Sequence, residues 1–274
     1  VSRGSALRVV ALYGALSVAA ATFLYPFLWM LATTFKSPGE VGTLSLIPDH
    51  PTLENYAMMW SRARVGRALL NSCLVATTIT IAVLVLGSIT AYAMARLEFP
   101  GRRVLNAVTV AILLVPGQLT LIPLYVLIVQ LGWVDRYAAL IVPYLFNATG
   151  ILILRQFFLQ VPRSLLDAAR LDGMSELRIL FTIFWPLAKP ALATVGIITF
   201  MGSWNEVLWP LLVVRDEARM TLPQLLTVFS LGGGAGTLAV QLAASMVLVA
   251  PVIVAYLFLQ RHFIESMAGA GVKG

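Results

Sequence analysis

Few residues in this 274-residue chain have the types and spacing that chemistry needs, and most of those are excluded by where they stand. The two histidines, His50 and His262, are far apart and both fall in loops, so no Cys/His cluster has the spacing of a metal site. The single cysteine, Cys73, lies inside a hydrophobic run and reads as a small apolar side chain, with no partner for a disulfide. Gly232 to Gly236 has no following lysine, so it lacks the phosphate cradle of nucleotide-binding loops and reads as a flexible connection. The nucleophile-elbow pattern of serine hydrolases is missing as well. The sequence therefore holds no recognisable enzyme active site. What remains is one polar stretch with an internal plan, Val161 to Pro190, which carries Asp167, Arg170 and Asp172 among small and apolar residues.

The plan of that stretch is local. Pro162 suits the start of a helix, because a first-turn proline has no amide hydrogen to lose. Leu165, Leu166 and Ala169 then share one face at helical spacing. Gly173 suits the left-handed turn that ends a helix. Ser175 is placed to cap a second short helix, with Leu177, Leu180, Phe181 and Phe184 as its apolar positions. Pro186 and Pro190 punctuate the return to hydrophobic sequence. The expectation is helix, glycine turn, helix, lying outside a bilayer between two spans. On pattern alone this is also what an ordinary amphipathic interfacial loop looks like.

The bilayer follows from composition. The chain is 59% hydrophobic and 11% charged, against about 25% charged in soluble domains. A chain this apolar needs a core larger than its length encloses, so lipid must solvate most of its surface. The expected fold is all-α and polytopic, with six spans of about 20 residues each: about 6–31, 68–95, 104–129, 137–154, 187–201 and 238–259, with the polar segment 161–190 between the fourth and fifth. The first run starts too late and is too long for a cleaved signal peptide. Pro26 is placed to kink the first span, and Pro116-Gly117 and Pro123 to break the third. Span interiors carry almost no ionisable residue, which argues against a proton- or sodium-coupled carrier. The work of transport must then come from another chain.

Charge sets the expected orientation. With the N-terminus, the 96–103 loop, the stretch from Arg155 through Pro190 and the C-terminal tail on one side, that side holds 12 of the 19 basic residues and 5 of the 12 acidic ones. The whole net charge of +7 sits there. The positive-inside rule makes that side cytoplasmic and places both termini inside.

Within the polar segment, Asp167-Ala168-Ala169, Gly173 after three intervening residues, and Ile183-Phe184-Trp185-Pro186 resemble the cytoplasmic loop of ABC importer permeases. That family's pattern is Glu-Ala-Ala, three residues, Gly, nine residues, Ile, any residue, Leu-Pro. Asp167 stands in for glutamate and keeps the charge; Trp185 stands in for leucine with added bulk. Further stretches resemble the carbohydrate importers related to the maltose system. They are Pro48-Asp49 with Thr52-Leu53-Glu54-Asn55-Tyr56, Asn71-Ser72, Ala91-Tyr92-Ala93-Met94-Ala95-Arg96 with Phe99-Pro100-Gly101, Pro116 to Tyr125, and Trp204-Asn205-Glu206 with Trp209-Pro210. The likeness covers nearly the whole chain.

The resemblance implies a non-enzymatic permease subunit of a binding-protein-dependent ABC importer in a bacterial or archaeal cytoplasmic membrane. It forms half of the path for a di- or oligosaccharide. The implied partners are a second permease subunit in a heterodimer, two ATP-binding subunits and an extracytoplasmic sugar-binding protein, with no nucleic acid. No cofactor is expected in this chain; ATP and Mg belong to the partner ATPase. Asp167, Ala168, Ala169, Arg170, Asp172 and Gly173 are the expected ATPase-coupling residues, with Asp167 or Arg170 pairing with charge on the ATPase. Asp167 would also favour its helix through the dipole. Sugars are held by aromatic faces, amides and hydroxyls, so Trp204, Asn205, Glu206 and Trp209 are candidates for the pathway or an external gate. An interfacial tryptophan belt is the other reading, most of all for Trp209. Gln118 and Asn147 are further polar candidates, each with a helix–helix hydrogen-bonding role as the alternative. The rival functions are a permease of the same superfamily for a polyol, glycerol phosphate or amino sugar, and a non-ABC secondary carrier or assembly subunit.

Overall fold

The computed structural model describes residues 3–62, 64–231 and 237–253, and every element among them is helical. The Gly232 to Gly236 connection, His262, and the tail with Arg261, Glu265 and Lys273 lie outside the described residues. The described residues divide into two units, one within 3–65 and 226–253, the other within 66–225.

In the first unit, α1 (Arg3–Thr33) runs on through Pro26 and buries none of its apolar stretch. Val10 is 71% and Phe23 76% exposed, which suits a helix whose solvent is lipid. The segment after it is tied down by side chains. Tyr25 Oη and Trp29 Nε1 donate to the carbonyls of Leu44 and Thr43 at 2.8 and 2.9 Å. Lys36 is fully buried; its Nζ donates to Thr43 O at 2.8 Å and lies 5.5 Å from the centre of the Trp29 ring. Glu40 accepts from the backbone N–H groups of Asp49 and His50. The short α2 (Glu54–Arg62) follows, with Thr52 Oγ1 accepting from Glu54 N and the buried Asn55 amide donating to the carbonyls of Thr34 and Lys36.

The second unit is built on α3 (Val65–Arg96), which carries Asn71 and Ser72 near its start and Tyr92 near its end. The expected third span is two helices, α4 (Arg102–Leu114) and α5 (Gly117–Gln130), bent by 103°. Pro116 pushes Val115 into the extended region (ψ 115°) and ends α4 there, whereas Pro123 stays inside α5. The next span joins α6 (Tyr137–Ile141), a 3₁₀ turn at Val142–Tyr144 that takes up Pro143, and α7 (Ala148–Gln160). It runs to Gln160, beyond the expected end near Leu154, because Asn147 restarts the helix by accepting from Gly150 N at 2.8 Å.

The polar segment contains α8 (Arg163–Leu171), α9 (Glu176–Ile179) and α10 (Trp185–Leu187). After it come α11 (Lys189–Trp204), α12 (Leu208–Val213), α13 (Leu222–Leu231) and α14 (Leu238–Ile253). Three runs, at 8–33, 65–96 and 137–160, are each long and apolar enough to cross a membrane among the described residues, and five are if each bent pair counts as one. The last expected span is described only as far as Ile253.

Helices of the second unit approach most closely at Gly150 on α7. A methyl group there would lie 3.0 Å from Val195 Cγ1 on α11 and 3.4 Å from Val83 Cγ1 on α3. Both valines are buried, so neither has room to yield. Gly150→Val is expected to overpack this crossing by about 1–3 kcal/mol, read as a lower melting temperature of the purified protein in detergent. Gly14→Ala, where no atom lies within 4 Å of the added methyl, should leave it unchanged.

Candidate functional site

The polar segment forms a helix, a glycine turn and a second helical stretch. Val161 is extended, as a residue before proline prefers, and α8 starts directly after Pro162. Leu166 and Ala169 turn inward and are buried, while Leu165 is 44% exposed despite sharing their spacing. The helix closes with a Schellman turn: Gly173 N donates to Arg170 O and Met174 N to Ala169 O, each at 3.0 Å. Gly173 has φ +76°, and a methyl group added there would meet nothing within 4 Å, so conformation rather than space selects glycine.

The second stretch departs from a simple capped helix. Ser175 stands at the start of α9 without a side-chain capping bond. From Leu180 to Phe184 the backbone widens into a π turn, with Trp185 N donating to Leu180 O. Pro186 explains it, since proline has no N–H to continue the α-ladder and its ring collides with the carbonyl four residues back. Leu180 and Phe184 are buried, whereas Leu177 and Phe181 are exposed. Glu176–Leu187 then meets α11 at 88°.

These elements sort the expected coupling residues. Asp167, Ala168, Arg170, Asp172 and Gly173 are exposed together on one side of the turn; Ala169 is 5% exposed and packs inward. Arg170 Nε donates to Glu176 Oε1 at 2.8 Å, and this hydrogen bond holds the guanidinium above its ordinary range. Arg170 is thus committed within the segment, and Asp167 and Asp172 are the charges left exposed on the helix and its turn. Leu171, 89% exposed at the helix end, adds an apolar side chain to this surface. Sequence reading passed over it because it falls off the inward face.

A second set of residues lines a cavity of about 310 Å³ between the α6–α7 run, α11, α12 and the start of α3. Of the expected pathway residues, Asn147, Glu206 and Trp209 meet there, joined by Tyr144, Thr199 and Ser203. Thr221 also lines it; its hydroxyl is buried and has no hydrogen-bond partner among the described residues. The other expected residues lie elsewhere. Trp204 is buried and stacks on Phe200, with ring centres 5.7 Å apart. Asn205 is exposed where α11 ends, and Gln118 is exposed at the start of α5. Trp209 is buried, and its Nε1 donates to Ala139 O at 2.8 Å. Glu206 Oε1 accepts from Trp209 N at 3.1 Å, leaving its other oxygen for a ligand hydroxyl. The cavity lining includes this one carboxylate and no cation.

The loop that roofs this region is stitched to the helices around it. Asn71 Nδ2 donates to the carbonyls of Ala218 and Met220 and its Oδ1 accepts from Tyr137 Oη, while Ser72 Oγ accepts from Leu222 N. Asp135, in the left-handed region at φ +58°, accepts the backbone N–H groups of Arg215 and Asp216 at 2.5 and 2.8 Å. These two donors, Asp216 foremost, hold its carboxyl below the usual carboxylate range.

Among the described residues the chain is all-helical, with apolar runs of span length and an exposed polar turn between two of them, the build of a polytopic membrane protein. Residues 83–268 match the model of the family described as binding-protein-dependent transport system inner membrane component. The chain is 34% identical to the diacetylchitobiose uptake system permease protein NgcG of Streptomyces coelicolor, over 89% of this chain and 82% of that protein. It is 32% identical to the arabinooligosaccharides transport system permease protein AraQ of Halalkalibacterium halodurans, over 92% and 91% of the two chains. It superimposes with a TM-score of 0.83, at 23% identity and over 96% of this chain and 99% of the other, on a chain from the crystal structure of a bacterial ABC transporter involved in the import of the acidic polysaccharide alginate. The chain belongs to the binding-protein-dependent transport system inner membrane component family. It is a permease subunit of a binding-protein-dependent importer.

The Asp135 clasp gives a signed pH dependence. Because the folded carboxyl titrates below its unfolded value of about 3.9, its contribution to loop order is present above that value and is lost as pH falls through the lower folded one. Asp135→Asn keeps a residue suited to the left-handed backbone and removes the charge. Hydrogen exchange of the 214–221 amides should be faster than wild type at pH 7, and the difference should vanish once pH falls below the depressed titration of the folded carboxyl.

Proposed function

We propose that this subunit forms half of the membrane path for an uncharged di- or oligosaccharide and couples it to a cytoplasmic ATPase. The partners in this reading are a second permease subunit, two ATP-binding subunits that carry ATP and Mg, and an extracytoplasmic sugar-binding protein. Both termini and the 161–190 segment face the cytoplasm. The observation that carries the reading is the exposed edge of α8. Asp167, Ala168 and Asp172 stand beside a glycine turn on a helix whose other face is buried, so a partner groove reaches small side chains and the backbone directly. Leu171 supplies an apolar contact on the same surface.

The solute class rests on two supports. One relative above is named for diacetylchitobiose uptake and the other for arabinooligosaccharides transport. The cavity that gathers Asn147, Glu206 and Trp209 presents amide, hydroxyl and carboxylate groups beside aromatic rings, and no cation to hold a phosphate or uronate. That lining disfavours an anionic solute such as glycerol phosphate, and it leaves an amino sugar as the second reading through Glu206.

The tagged chain, purified gently from its native membranes, should bring with it an ATP-binding subunit and a second permease. Ala168→Trp should insert normally and lose uptake by tenfold or more, because the bulk separates the docking surfaces; tenfold is about 1.4 kcal/mol. Full uptake by a stably expressed Ala168→Trp protein would remove the docking role.

A further inference from the structure

The last turn of α3 grips the chain on both sides of α8. Tyr92 and Arg96, four residues apart and so on one face of the helix, do the gripping. At the near end, Arg96 donates through Nε and Nη2 to Phe158 O at 3.0 and 2.5 Å, and through Nη2 to Val161 O. These are carbonyls at the close of α7, where the helical ladder runs out and Phe158 O accepts from Val161 N only at 3.4 Å. At the far end, Tyr92 Oη donates to Glu176 Oε2 at 2.5 Å, while Glu176 Oε1 accepts from Arg170 on α8. Between the two grips, Phe184 is fully buried against both residues, its ring edge-on to Tyr92 at 5.0 Å and 5.6 Å from the Arg96 guanidinium.

We infer that Tyr92, Arg96 and Glu176 are positioning residues that lock α8 to α3 as one rigid piece, so that displacement of α8 by the ATPase is delivered to α3 and along it into the membrane. The inference rests on the docking role proposed for α8. Three features of the bracket support it. It holds the chain on both sides of α8, so α8 cannot swing about either one. Its bonds are charge-assisted and stand beside a buried ring, where they are stronger than in water. Glu176 is shared between Arg170 on the docking helix and Tyr92 on the span, which makes the carboxylate a link between the two elements. Tyr92 and Glu176 lie outside the set of residues proposed to dock, while Arg96 lines a cleft with Asp167 and Arg170, so binding of the ATP subunit is measured beside the coupling readout.

Cys73 gives a native reporter. It is exposed on α3, 19 residues and about 28 Å from Tyr92 along the helix. A thiol-reactive bimane is placed on Cys73 in the complex purified with its partner subunits, the partners' own cysteines replaced, in nanodiscs. Emission is then compared before and after MgATP with vanadate. Wild type should show an ATP-dependent shift. Tyr92→Phe, which keeps the ring packing, should reduce the shift about fivefold, the equivalent of one ordinary hydrogen bond, with complex yield and ATP-subunit stoichiometry unchanged. Glu176→Gln, which still accepts from Tyr92, should lose less than Glu176→Ala. A full wild-type shift in a Tyr92→Phe/Arg96→Lys double variant that retains its ATP-binding subunits overturns the bracket and leaves the docking role standing. A wild-type chain that recovers no ATP-binding subunit overturns both.

Discussion

A helix that ends at the edge of a bilayer leaves carbonyl groups with no partner of their own, and in this chain their satisfaction decides where the polar segment goes. Arg96 answers the end of α7, and Arg102 answers the end of α3 by donating to Met94 O and Ala95 O at 2.9 and 3.1 Å. Neither arginine is simply a surface charge. Each commits its guanidinium to backbone oxygens, and each fixes the direction in which the chain leaves a span. The excess of arginine on this side, which the sequence presents as an orientation signal, is at the same time the hydrogen-bonding material that closes the helices.

With those ends closed, the rest of the second unit follows from close approach. Gly150 lets α7 lie against α3 and α11, which brings the α6–α7 run and α11 near enough to enclose the small, mostly apolar cavity beside Trp209. The roof over that region is held by Asn71, Ser72 and Asp135, side chains that bond to backbone rather than to one another. Such bonds fix a loop without adding buried charge, which suits a site that leaves Glu206 as its single ionised group.

The all-helical membrane fold was legible because its cause is compositional: apolar runs of span length have no soluble alternative in a chain this short. Within the polar segment, Pro162, Gly173 and the inward pair Leu166 and Ala169 stood where local rules place them, since a proline start, a left-handed glycine and helical spacing act over a few residues. The π turn at Leu180–Phe184 was not legible, because it is the outcome of Pro186 in a stretch that stays helical on both sides. Ser175 illustrates the same limit, having the residue type of a cap without its bond. The cavity was legible in part. Asn147, Glu206 and Trp209 declared themselves as polar or aromatic residues in apolar sequence, but Thr221 and Asp135 come from distant stretches and gain their roles only by tertiary placement. Tyr92 and Glu176, 84 residues apart, carry no mutual signal at all in a single sequence.

The buried lysine near the end of α1 has a consequence for how the subunit sits in its membrane. Lys36 stands just past the end of α1, its Nζ held by Thr43 O and the face of Trp29, and drawing that knot into hydrocarbon would cost both contacts. Arg8 near the start of α1 and this knot beyond its end put polar groups at both ends of an apolar rod, so sliding along the membrane normal would draw one of them toward hydrocarbon, whereas tilt would not.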